Sequence, residues 1–139
     1  MSNLSNIPPH AVLPLQSYDR DALRLAAART EQRVLQADCR GATDSASVLG
    51  EIAHGFALPA PDAAGFDALY RRVTGLQPVN DADEPGFVVF LENLPETAAF
   101  DRHARDRLLD VFRDAADYFF DRETAFRVFY SVDRPGGRA

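Results

Sequence analysis

Five consecutive apolar residues, Phe87–Leu91 (FVVFL), constrain the fold more than any other stretch of the chain. A strand with one face in water alternates in polarity, whereas an unbroken apolar run bounded by turn residues suits a strand covered on both faces. Two further strand candidates flank it in sequence, Arg33–Cys39 (RVLQADC) and Phe126–Val132 (FRVFYSV). Between the first two lies a turn rich in cap residues, Gly41–Ser45, and then a helical face of Val48, Leu49, Ile52, Ala53 and Phe56, with Gly55 near its end. A second helical face follows at Phe66, Leu69, Tyr70 and Val73, closed by Gly75 in the usual C′ position. The longest helix is predicted over Arg102–Phe120, with Leu108, Leu109, Phe112, Ala115, Ala116 and Phe119 as its core stripe. The resulting order, β-α-α-β-α-β, puts a helical crossover between successive strands, which is what parallel pairing requires. The expected class is α/β, with a small parallel sheet and helices packed on it.

Upstream, residues 1–16 are rich in Pro, Ser and Asn and are expected to be partly disordered. Within them Ala11–Leu15 (AVLPL) could form a short edge strand, because Pro14 lacks the N–H that a central strand must donate. Asp19–Arg29 reads as a helix. The expected organisation is an extension over residues 1–32, one domain over 33–132 and a tail over 133–139. Two loops punctuate the domain, Leu58–Gly65 (LPAPDAAG) and the acidic Asn80–Gly86 (NDADEPG).

At 139 residues and 46% hydrophobic, the chain can build one core without staples. Cys39 is the only cysteine, so no intramolecular disulfide can form, and a lone thiol suits a reducing compartment. The N-terminus has neither the basic nor the apolar segment of a signal peptide, and no apolar run could span a bilayer. A cytoplasmic protein with no membrane contact is expected. All 15 basic residues are arginine, and with 21 acidic residues the net charge is −6. Such a surface repels nucleic acid and steers cationic partners inward, although negative charge often does no more than keep a protein soluble.

Catalytic readings find little support. His10, His54 and His103 are scattered without metal-ligand spacing and are expected at the surface, with no metal or other cofactor bound. Cys39 ends a strand, where a buried thiol is a better reading than a nucleophile. The RGATDS that follows lacks the lysine and glycine spacing of a phosphate loop. Asp81–Glu84 lacks the central glycine and distal glutamate of a calcium loop. A small enzyme using Asp67 or Asp114 as acid or base is the weakest alternative, since no supporting group lies within motif range.

Two constellations suit binding instead. Asp106, Asp110, Asp114, Asp117 and Asp121 recur at spacings that line one ridge of the long helix, where like charges repel. Arg102 and Arg113 are expected to offset this by pairing four residues on, with Asp106 and Asp117. A solvated face explains such a ridge about as well as a docking edge does. The other constellation is Leu58–Leu76, a loop leading into a short helix with an aromatic at Tyr70, a common means of placing a probe in a partner's cleft. Packing of Tyr70 on the core explains the pattern equally well.

This second segment resembles the barstar family, the intracellular inhibitors of barnase-type ribonucleases. The likeness runs from Leu58-Pro59 through Asp67-Ala68-Leu69-Tyr70 to Thr74-Gly75. It continues through the strand at Phe87–Glu92, the helix Leu108-Leu109-Asp110-Val111-Phe112-Arg113-Asp114-Ala115 and the last strand, spanning roughly Arg33–Val132. The N-terminal helix resembles extensions of longer bacterial members. The resemblance implies a three-stranded parallel sheet and a face that plugs a nuclease active site by charge mimicry. It thus implies an immunity-type inhibitor, monomeric when free, whose basic partner is a ribonuclease or ribonuclease-type toxin. The alternative is an interaction module of this fold that has lost nuclease inhibition.

Carried onto this chain, the resemblance makes Asp67 a carboxylate facing the nuclease, places Tyr70 where the family often has tryptophan, and keeps an acid at Asp114. Asp62 and Phe66 in the preceding loop, Arg71 beside Tyr70, and Asp110 and Tyr118 on the long helix complete the expected partner-binding set. The chain also departs from the pattern. The loop's aromatic-glycine-asparagine signature is replaced by Pro61–Phe66, and Tyr118 stands at the second acidic position of the helix. Arg71 reverses the charge of the family's dominant binding carboxylate, and an arginine there would cost affinity for a cationic phosphate site.

Overall fold

The computed structural model describes residues 4, 7–58, 65–79, 82 and 84–133. Among these residues four strands form one sheet: β1 (His10–Pro14), β2 (Arg33–Asp38), β3 (Gly86–Leu94) and β4 (Ala125–Val132). Their spatial order is β1-β4-β3-β2 and every pairing is parallel. Four helices connect and cover them: α1 (Arg20–Arg29), α2 (Ser45–Gly55), α3 (Gly65–Thr74) and α4 (Arg102–Phe120).

The sheet has four strands where the family resemblance implied three. The additional one is β1, which pairs with β4 from His10↔Phe126 to Pro14↔Tyr130. Its place at the edge suits the proline that ends it. A 3₁₀ turn, Leu15–Ser17, then leads to Asp19, whose side chain accepts from the Asp21 and Ala22 N–H groups and starts α1. The chain therefore runs from β1 at one edge of the sheet through α1 to β2 at the other.

β3 shows why its sequence carries no polar alternation. Phe87, Val89 and Leu91 point into the larger core, built with α2, α3 and α4, whereas Val88 and Phe90 point into a second core under α1. That second core contains Leu23, Ala26 and Ala27 of α1, Phe129 of β4, and Leu4 and Ile7 from the N-terminal segment. Arg127, on the same face of β4 as Phe129, is buried, and its Nε donates to the Ile7 carbonyl at 3.2 Å. Burial lowers its pKa from the ordinary arginine value.

Two glycines act otherwise than their positions suggest. Gly55 is the last residue of α2, but the left-handed residue beyond that helix is Ala57, at φ 58°. Gly55 is needed because a Cβ there would run into the Gln36 carbonyl oxygen of β2. Gly75 does not adopt a left-handed cap after α3. The chain turns there through 3₁₀-type bonds, Gly75 N–H to Arg72 O at 3.2 Å and Leu76 N–H to Val73 O at 3.1 Å.

Candidate functional site

α3 and α4 pack side by side on the larger core and leave a groove of about 540 Å³ between their outer faces. Gly65 opens α3 at φ 71°, a backbone conformation that favours glycine. Ala68, Leu69 and Val73 then face the core and anchor the helix. That register leaves Phe66 and Tyr70 half-buried along the groove floor, with Asp67 and Arg71 exposed one turn apart beside them.

The opposite wall is α4. Asp101 caps it by accepting the Ala104 N–H at 3.0 Å, and seven of its residues, from Leu108 to Phe119, are buried. The same register exposes Asp106, Asp110, Asp114, Asp117 and Asp121. Val111, Asp114, Asp117, Tyr118, Asp121 and the following Arg122 line the groove. Two arginines are laid over its aromatics. The Arg122 guanidinium carbon stands 3.6 Å above the Tyr118 ring while its Nη1 donates to the Tyr118 carbonyl at 3.0 Å, and Arg107 covers Phe66 at 4.9 Å.

The ridge is neutralised differently from the sequence expectation. Arg113 pairs with Asp110 at 2.7 Å, three residues back, and not with Asp117; Arg102 makes no ion pair with Asp106. Asp110 is thereby engaged and lies outside the groove lining. Asp67, Asp114, Asp117 and Asp121 form no ion pair among the described residues, and neither does Arg71.

The groove thus brings together Phe66, Asp67, Tyr70, Arg71, Asp114 and Tyr118 of the residues singled out in the sequence. Asp62 lies outside the described residues, as does most of the Leu58–Gly65 loop, and so do three residues of the acidic Asn80–Gly86 loop. The groove adds Asp117 and Asp121, whose place on the ridge was legible. It also adds Val111 and Arg122. The spacing of Arg122, four residues after Tyr118 at a helix end, was the available signal for its stacking. Nothing in the sequence joins Arg107 to Phe66, because the two meet only when α3 packs on α4.

Other candidates lie elsewhere. All three histidines are exposed, and the His10 ring sits 4.3 Å from that of Phe120. Among the described residues no group of three or more His, Cys, Asp or Glu could hold a metal ion, and no helix is long and apolar enough to cross a membrane. Cys39 is buried, and that burial, helped by the Glu51 and Asp38 carboxylates, pushes its thiol up to about 12. It is therefore a poor nucleophile.

Fold and groove together define a small parallel α/β domain with a charged groove, lined by aromatics, between two of its helices. The family model described as barstar (barnase inhibitor) matches residues 32–131, and the chain belongs to the barstar family. The match leaves β1 and α1 outside it. Neither the curated proteins nor the solved structures contain a match.

Proposed function

We propose that this protein inhibits a basic ribonuclease, or a ribonuclease-type toxin to which it confers immunity, by seating the α3–α4 groove over the nuclease active site. The observation that carries this reading is the set of exposed carboxylates at the groove, Asp67, Asp114, Asp117 and Asp121, left without ion pairs above an aromatic floor. Ion pairs do form away from the groove lining, between Arg20 and Glu92 at 2.8 Å and between Arg113 and Asp110 at 2.7 Å. Unpaired acids held close together repel one another in the free protein, and that repulsion is relieved when cations dock between them. A ribonuclease cleft supplies such cations because it must hold RNA phosphates. On this reading the protein works in the cytoplasm as a monomer until it meets its target.

The test is titration of the protein into assays of purified basic ribonucleases, with Asp67→Ala and Asp114→Ala alongside. Each substitution is expected to weaken inhibition about tenfold, near 1.4 kcal/mol. Binding indifferent to both substitutions and to ionic strength would sink charge mimicry.

Arg71 favours a second reading, an interaction module of the same fold that no longer inhibits a nuclease. A guanidinium among the groove carboxylates is ill suited to a purely cationic cleft. Stoichiometric binding of a basic protein that leaves nuclease activity intact would select it.

A further inference from the structure

We infer that Arg71 is a specificity element, selecting a partner whose cationic cleft carries a carboxylate facing the middle of the groove. The inference rests on the inhibitor reading above and narrows its partner.

Arg71 is exposed on α3 one turn after Asp67, and shares the groove with Asp114 and Asp117. A guanidinium with a carboxylate in reach can close on it, as Arg113 does on Asp110 at 2.7 Å. Arg71 does not. Its order in sequence after Asp67, acid four residues before base, is the favourable one, yet the two side chains form no ion pair. The other groove arginine is committed: Arg122 lies on the Tyr118 ring and donates to the Tyr118 carbonyl. Among the described residues the groove therefore offers four free carboxylates and one free guanidinium.

That mixture restricts what can dock. A wholly cationic cleft would press its own charges against Arg71, and desolvation at the centre of an interface makes like charges costly. A free phosphate or a nucleic-acid backbone could pair with Arg71, but the surrounding carboxylates repel it. A carboxylate embedded in a cationic protein surface satisfies both signs together. It can also take the two parallel N–H groups of a guanidinium, a geometry that a lysine in the same place would not provide.

The experiment uses the full-length protein, Arg71→Gln and Arg71→Asp against barnase and a panel of other purified basic microbial ribonucleases, by inhibition and calorimetry. Thermal melts of the variants control for folding, which an exposed side chain should not disturb. For the nuclease that the unsubstituted protein binds most tightly, Arg71→Gln is expected to lose about tenfold in affinity and Arg71→Asp about a hundredfold. Exchanging the cleft carboxylates of that nuclease for lysine, one at a time, should find one position that restores binding to Arg71→Asp. If Arg71→Asp instead tightens binding across the panel, or Arg71→Gln changes nothing, Arg71 selects no carboxylate and the inference is overturned. The inhibitor reading would still stand in that case, provided that Asp67→Ala and Asp114→Ala weaken the same complexes. Absence of binding by every variant to every nuclease overturns both.

Discussion

Asp38, at the end of β2, accepts the Asn93 side-chain amide at 2.9 Å and the Arg40 backbone N–H at 3.0 Å. These two donors, and then the Arg40 and Arg20 charges, hold its carboxyl below the ordinary value of 3.8 against a smaller opposing effect of burial. The unfolded chain thus takes up this proton at a higher pH than the folded one. The stabilisation is complete above pH 3.8 and is lost as pH falls through the lower folded value. Asp38→Asn is expected to flatten the acid limb of urea midpoint against pH, modestly because the side chain is exposed; an unchanged limb would show that the two bonds contribute nothing. Cys39, next in sequence, is expected to resist Ellman's reagent at pH 8 in the native protein and to react fully in denaturant. Rapid native labelling would contradict its burial. Gly55→Ala places a methyl against the Gln36 carbonyl and should cost about 1–3 kcal/mol, read as a lowered denaturation midpoint. The burial of Cys39 was legible from its place at the end of a strand, whereas the bonds to Asp38 and the contact that requires Gly55 were not. Asn93 sits at φ 60° beside an irregularity in the β3–β4 register, and only the folded sheet brings it to Asp38.

At the scale of elements, the apolar run of β3 announced that both faces of the strand are covered, and Pro14 announced an edge strand. The sequence did not say what covers the second face, since Leu23, Ala26 and Ala27 are too few and too small to name their partners. The structure supplies the answer: β1 and α1 form an added β-α unit, outside the family match, that closes over Val88, Phe90 and Phe129. Leu23, fully buried there, is the residue to test. Leu23→Ala should destabilise the chain by about 2–5 kcal/mol. A fragment beginning at residue 33 should expose that face and bind the dye ANS strongly. A fragment that stays monomeric, dye-free and as stable as the full chain would show that the unit is dispensable. The groove was legible to the extent that it follows helical spacing, which put Asp67 beside Arg71 and Asp114 in line with Asp117. Which arginine neutralises which acid was not, because the i,i+3 and i,i+4 partners of Arg113 are both aspartate and side-chain packing decides between them.

For the whole molecule, charge placement matters more than the net value of −6. Along α4 four aspartates are matched in number by four arginines, whereas the groove lining carries four aspartates against two arginines. Electrostatic attraction of this kind acts before contact and raises the association rate. It fades as the screening length falls from about 10 Å in 0.1 M salt to about 3 Å in 1 M. Association with a basic ribonuclease should therefore slow at least tenfold over that range while dissociation changes much less. Charge removed at the groove and charge removed elsewhere separate local complementarity from bulk attraction. If Asp114 meets a cation of the partner, as proposed, Asp114→Asn should slow association, flatten its salt dependence and speed dissociation. Glu51→Gln, on the exposed face of α2 and absent from the groove lining, should lower the association rate slightly and leave dissociation alone. Stopped-flow measurements at several salt concentrations distinguish the two. Equal effects from Asp114 and Glu51 would mean that the partner responds only to total charge, and the groove would then have no claim as the docking site.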